Sequence, residues 1–382
     1  LKPQMTSQSM IEHYPVKTPM LDIVTVGTGG GSLAWIDDYE NLKVGPRSSG
    51  AVPGPICYRR GGDKPTVTDA AAILGRLPSA LVGGELELDI AAAQQAYESL
   101  GRQYNMSSEA VAAGVLEIAT ANMVNGIRQV TTTRGKDPSS YALVSFGGAG
   151  GLFATYVADF LDVVTVISPP NPGNLSAFGL HVCDVKQDYI RTLVRQKSSA
   201  SEEEIEAAWV DIEENGRREL IVEGVKKEDV QLVRSADMRY VGEGHEVNVS
   251  VPDGMTDTDA INHIWDEFHK VHFETFGFDY RDEQDVELVN LRIQAVGEAS
   301  RPSIHERETV SEIAKPSMTR DIYWREQGWV ECDIYDRPTL AKDQVISGPT
   351  IIEEYGSTTV VPPNWCVHTD KYGNLILEKK DA

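Results

Sequence analysis

Cysteine is scarce in this chain: Cys57, Cys183, Cys332 and Cys366 stand far apart, and no pair has Cys-x-x-Cys spacing. That pattern suggests neither a zinc knuckle nor a disulfide framework, so buried thiols are the simpler expectation. Positive charge is also short. Lys and Arg number 35 against 58 Asp and Glu, a formal net charge of -23. This opposes nucleic acid and anionic membranes as partners and leaves small molecules or proteins, although a small anion still binds where main-chain amides and basic groups converge. No apolar run approaches the roughly 20 residues that span a bilayer, and Leu1-Lys2-Pro3-Gln4 is no secretory leader. A soluble, cytoplasmic protein is expected. Also missing are a Walker loop, a clean dinucleotide fingerprint, a Gly-x-Ser-x-Gly elbow and a recognisable partner for a nucleophilic cysteine. Covalent catalysis is therefore disfavoured.

What is present is glycine in two clusters. Gly27-Thr28-Gly29-Gly30-Gly31-Ser32 and Gly147-Gly148-Ala149-Gly150-Gly151 each follow a β-type apolar run. A turn without Cβ atoms can aim its amides at an oxyanion and bring the backbone closer than side chains allow. Both turns read as phosphate or nucleotide contacts; the structural alternatives are a tight hairpin for the first and close helix–strand packing for the second.

With 382 residues, 41% of them hydrophobic, the chain can bury a sizeable core in two or three domains. Residues 1–20, interrupted by Pro3, Pro15 and Pro19, read as an arm or linker. The run Leu21–Val26 and the stretch Ser32–Asp37 predict a hairpin with the first glycine turn at its tip. Residues 45–62, rich in Gly, Pro, Arg and Ser, predict an ordered loop near a site, and Thr68 or Asp69 is placed to cap a helix running through Leu77. The strongest helix is 107–133, with Val111, Val115, Ile118 and Ile127 on one stripe, Gly135 as its C-cap and Asn122 as a satisfied core amide. A strand over 141–146, the second glycine turn and a helix over 152–161 follow, then a strand over 163–168. A composition change near 197–204 marks a boundary. Beyond it come an acidic helix, a strand region over 235–251 with an insert at 239–245, a helix over 257–276, a strand over 286–295 and many short strands from 320 to 380. The expected divisions are 1–20, 21–196, 197–305 and 306–382. The absent initial methionine and the lack of a regular element before Leu21 suggest a processed, cut or subunit-derived chain.

In order along the chain, Asp22–Ser32, Gly50–Pro55, Pro65–Ala70, Ser145–Gly151, Pro172–Gly179, Met238–Glu246 and Ile351–Thr359 resemble the hydantoinase A/5-oxoprolinase family, closest to the A-type subunit of ATP-dependent N-methylhydantoinase. The resemblance implies an α/β fold of the actin, hexokinase and heat-shock chaperone (ASKHA) type with its N-terminal part missing, followed by an α+β region and a β-rich C-terminal module. It implies ATP and Mg2+ as cofactors and hydrolysis of a hydantoin or related lactam. In such enzymes ATP phosphorylates the ring-carbonyl oxygen before water attacks. An acetone- or acetophenone-type carboxylase subunit and a non-catalytic assembly subunit are the alternatives. The implied partners are the cyclic amide, a B-type subunit and an N-terminal A-type segment or chain, since the family's first Asp-x-Gly-Gly-Thr phosphate motif does not occur here.

By the same resemblance Gly29–Ser32 match the second phosphate turn and Gly147–Gly150 the turn near adenosine. Thr28, Gly29, Gly30, Gly31, Ser32, Gly147, Gly148, Ala149 and Gly150 are thus the expected nucleotide contacts. Asp22 and Asp69 are the candidate magnesium carboxylates, with an N-cap role for Asp69 as the alternative. Phe153 stands where family members commonly have histidine, so that residue's role does not carry over to this chain. Other candidates are Asp184, facing a cleft or solvated; His263, His269 and His272, a metal group or packing histidines; Gly242–His245, a contact loop or hairpin tip; and Arg47, Arg59 and Arg60, carboxylate contacts or solvated cations.

Overall fold

The computed structural model describes the chain apart from residues 1–4, 7–8, 12–13, 17–19, 22, 253, 256, 282, 300, 308–309, 311 and 381–382. It divides into two compact units, one formed by 1–176 with 304–382 and the other by 177–303. The first opens with short strands β1 (Met5–Thr6), β2 (Ser9–Ile11), β3 (Tyr14–Val16) and β4 (Met20–Leu21), paired β1–β4 and β2–β3. Residues 23–26 are not a strand. Instead β5 (Ser32–Ile36) pairs with β6 (Leu42–Ser48), so the first glycine turn leads into a hairpin rather than forming its tip. The expected loop over 45–62 begins inside β6.

Helix α1 (Val67–Ile73) starts from a capping box in which Thr66, not Thr68 or Asp69, is the N-cap and Asp69 is the N3 partner. It ends before Leu77 in a Schellman motif: Gly75 N–H bonds Ala72 O and Arg76 N–H bonds Ala71 O. Gly75 has a φ of 73°, and a Cβ there would lie 2.2 Å from Asp321 O. Gly75→Ala is therefore expected to lower the stability of this unit by about 3 kcal/mol, combining left-handed strain with overpacking. A chemical-denaturation midpoint is the measurement.

After β7 (Ala80–Leu81) and β8 (Leu86–Glu87) come α2 (Ile90–Tyr104) and α3 (Ser108–Val130). Ser107 caps α3, the Asn122 amide donates to Val44 O, and Gly135 caps the short turn that follows. Contrary to the reading of the apolar runs, the helical stretch Ser108–Arg134 is long and apolar enough to cross a membrane by length and composition. Here half of its most apolar window is buried, and α3 packs against α1, α2 and α4 (Ala154–Phe160). The strand expected over 141–146 shrinks to β9 (Leu143–Val144), parallel to β10 (Thr165–Ser168).

Helix α5 (Leu175–Val182) leads to the second unit. There β11 (Val185–Gln196), β12 (Val230–Tyr240), β13 (Val247–Ser250) and β14 (Val286–Gly297) form an antiparallel sheet in the order β11-β14-β12-β13. Helices α6 (Glu202–Val222) and α7 (Asp257–Phe276) pack on this sheet around Trp209, Tyr240, Ile264 and Phe268.

The returning chain adds β15 (Met318–Trp324), β16 (Gly328–Asp336), β17 (Ile346–Ser347), β18 (Thr350–Glu354), β19 (Ser357–Val361), β20 (Trp365–Thr369) and β21 (Leu375–Lys379). Strands β15-β16-β18-β19 make one sheet, and β17-β20-β21-β10-β9 make another. Because β21 pairs with β10, residues 306–382 are not a separate module, and the contact boundaries fall at 176/177 and 303/304 rather than at 196 and 305.

Candidate functional site

In the first unit the two glycine turns, about 120 residues apart in sequence, line one cavity of about 950 Å³. Gly30, Gly31, Gly148 and Ala149 contribute backbone to it, and a Cβ placed on Gly30 would lie 3.7 Å from the Ala149 Cβ. Hydrogen bonds set the first turn. Gly30 O accepts from the Thr68 amide and hydroxyl, both at 2.9 Å, while Gly31 O accepts from the Ser49 amide at 2.9 Å. Gly30 O, held by Thr68, turns the following Gly31 amide the opposite way in its trans peptide, and neither the Gly30 nor the Gly31 amide carries a hydrogen bond among the described residues. The same holds for the Gly148 and Ala149 amides. Four residues whose amides have no hydrogen-bond partner among the described residues thus line one cavity.

The remaining expected contacts build the turns rather than line the cavity. Ser32 Oγ donates to Gly27 O and accepts from the Gly29 amide, and the Thr28 amide bonds Val26 O. Gly147, with φ of 87°, donates to Pro172 O at 2.7 Å, and the Gly150 amide bonds Gly147 O.

Asp69 is fully buried, and its carboxylate accepts from the amides of Ile56, Cys57 and Thr66 and from the Thr66 hydroxyl, at 2.7–3.2 Å. Those donors occupy the oxygens that a magnesium ion would need. Asp22 lies outside the described residues. Among the described residues no three His, Cys, Asp or Glu side chains gather to hold a metal. Burial, reinforced by Asp69, pushes the Cys57 thiol far up, which makes it inert as a nucleophile.

Part of the wall was missed by sequence reasoning. The β18–β19 turn supplies Glu354, Tyr355, Gly356, Ser357 and Thr358; its signal was Gly356 within a stretch quoted for the family resemblance. Two wall carboxylates are neutralised from behind: Arg320 bonds Glu353 at 2.6 Å, and buried Arg337 bonds Glu354 at 2.7 Å. Arg337 also donates to Ser168 O and Gly373 O. Of the three arginines considered, Arg60 reaches the cavity and has no ion pair among the described residues. Arg47 stacks on Trp35, and Arg59 pairs with Glu87 and Asp89.

In the second unit Asp184 accepts from the Ala299 amide and pairs with Arg301. The three histidines have separate partners: His263 meets Ser250 O, His269 Nδ1 meets the Tyr240 hydroxyl at 2.8 Å, and His272 lies between Phe278 O and Glu243. Glu243 thus ties the 242–245 loop to a buried histidine. The Tyr240 hydroxyl accepts the Tyr280 amide as well as meeting His269 Nδ1. Burial, then Arg281 and Lys197, hold His269 below the ordinary histidine value, against Asp279 and Asp266. A depressed histidine costs stability as pH falls through its unfolded value. Between about pH 7.5 and about pH 5 the unfolding midpoint of this unit is expected to drop, and His269→Gln to reduce the drop.

With the geometry established, comparison gives the relations. The hydantoinase/oxoprolinase family profile matches residues 1–189, and the hydantoinase/oxoprolinase C-terminal domain profile matches 193–380. An uncharacterized protein of Methanocaldococcus jannaschii is 37% identical over 96% of this chain and 52% of its own length. Caprolactamase subunit alpha of Pseudomonas jessenii is 34% identical over 94% of this chain and 52% of its own length; a crystal structure of ATP-dependent caprolactamase from that organism superposes with a TM-score of 0.71 at 32% identity, covering 98% of this chain and 55% of that one. The nucleotide-free structure of acetone carboxylase shares the fold with a TM-score of 0.89 at 22% identity, over 99% of this chain and 55% of that one. The chain thus spans about half the length of the relatives it matches.

Proposed function

This chain belongs to the hydantoinase/oxoprolinase family, and on that premise we propose that its main cavity is the phosphate-gripping part of an ASKHA-type nucleotide cleft in an ATP-dependent enzyme that opens a hydantoin or related lactam. One observation carries the reading: two distant glycine turns meet at one cavity and present four amides without partners. Such amides fit phosphate oxygens, which accept several donors at once.

When bound, ATP activates the ring carbonyl, a poor electrophile, by phosphorylating its oxygen. This chain's residues hold and orient the oxyanions. Gly30 and Gly31 grip from one side and Gly148 and Ala149 from the other, already in position and so without reorganisation. Arg60 adds positive charge, while the Arg320–Glu353 and Arg337–Glu354 pairs keep acidic side chains from repelling the phosphates. Asp69, its oxygens taken up by main-chain amides and the Thr66 hydroxyl, does not fit a magnesium ligand.

The relatives' greater length and the name "subunit alpha" support a cleft finished by an N-terminal A-type segment or neighbouring chain, with a B-type subunit beside it. Calorimetric titration with ATP and magnesium, on the chain alone and after adding the N-terminal half, is the test. Binding that strengthens on addition is expected. No heat in either case overturns the nucleotide reading and favours an assembly role.

A further inference from the structure

Behind the main cavity, in the same unit, lies a second one of about 450 Å³. The two are back to back: Arg76 and Phe153 line the second, whereas their neighbours Leu77 and Leu152 line the first. Arg76 is 6% exposed. Its guanidinium carbon lies 4.9 Å from the Tyr156 ring centre and 5.7 Å from that of Trp324, yet it has no ion pair among the described residues. Arg76 Nε, the Tyr156 hydroxyl and Trp324 Nε1 are all shielded from solvent and meet no partner in good hydrogen-bond geometry, although the hydroxyl lies beside the Arg76 guanidinium and the indole beside the Cys332 thiol.

A buried cation flanked by two idle donors is a costly arrangement that stacking on aromatic rings offsets only in part. The acids on the wall do not answer it. Glu117 pairs with Arg325, Asp159 takes Lys379 at 2.9 Å and the Trp365 indole N–H at 3.2 Å, and Glu326, also on the wall, makes no ion pair with Arg76. The missing group is an anion from outside. Its planar fork makes a guanidinium complementary to a carboxylate, and the three acids on the wall disfavour a doubly charged ion such as phosphate. Phe153, Phe160, Pro362 and Pro363 offer surface for a hydrocarbon body.

We propose that this second cavity binds a small organic carboxylate, its charged end on Arg76 beside Tyr156 and Trp324 and its apolar body against Phe153 and Phe160. The site is separate from the proposed nucleotide cleft and does not depend on it.

Benzoate and its neutral isostere benzamide are the probes, titrated calorimetrically into the full chain without nucleotide. Benzoate is expected to bind saturably and benzamide about tenfold or more weakly, the loss of a charge-assisted hydrogen bond. Arg76→Met is expected to weaken benzoate by at least about the same factor. Trp324→Phe, which keeps the ring and removes the N–H, guards against a misfolded Arg76 variant and is expected to weaken benzoate several-fold. Failure of benzoate to bind the wild type, equal affinity for benzamide, unchanged affinity in folded Trp324→Phe, or displacement by an equal concentration of inorganic phosphate would each overturn the assignment.

Discussion

Gly30→Val is expected to reduce ATP-driven ring opening in the assembled enzyme by about a hundredfold or more while leaving the circular dichroism spectrum unchanged. A Cβ at this position meets the Thr68 hydroxyl at 2.7 Å and the Ala149 Cβ at 3.7 Å, so a branched side chain occupies the junction between the two turns. Displaced phosphate oxygens would lose the Gly30 and Gly31 amides. Hydrogen bonds to a charged partner contribute about 1.5–3 kcal/mol each, and losing two gives a factor of that order. Steady-state turnover against ATP concentration is the measurement. Turnover equal to wild type would show that this turn does not hold phosphate.

Asp69→Ala is expected to act on stability first, lowering that of the unit formed by 1–176 and 304–382 by about 3–5 kcal/mol. The substitution strands the amides of Ile56, Cys57 and Thr66 and the Thr66 hydroxyl in a buried setting. It also releases the loop that brings Pro55 and Tyr58 to the cavity. A shifted denaturation midpoint that added magnesium does not restore is the expected signature. An unchanged midpoint with activity rescued by excess magnesium would instead make Asp69 a metal ligand.

Local signals were read well where one element decides its own conformation. Helix α3 (Ser108–Val130) falls within the expected 107–133, although it ends at Thr131 rather than at Gly135, and β14 and α7 lie where a strand and a helix were expected. Pairing choices were less legible. Residues 23–26 have strand-forming side chains but not the conformation, while β6 runs through Gly45 and Pro46, residues that argue for a loop. There a Cβ on residue 45 would sit 2.2 Å from Gly27 O, a tertiary contact that local propensity cannot reveal.

The site divides in the same way. Backbone contributors announced themselves as glycine, whereas Tyr355–Thr358 reach the cavity from the β15-β16-β18-β19 sheet, far along the chain from either glycine turn. Sequence also did not separate Arg60, at the cavity, from Arg59, which faces Glu87 and Asp89.

The boundary at 176/177 and 303/304 sets off a segment that is self-sufficient as a sheet. Within the intervening segment the first and last strands are partners, with Val185 opposite Gly297, so the incoming and outgoing chain lie about 5 Å apart, side by side. A segment whose first and last strands pair with each other completes its sheet from its own strands. The glycine-lined cavity of the other unit correspondingly takes none of that segment's described residues.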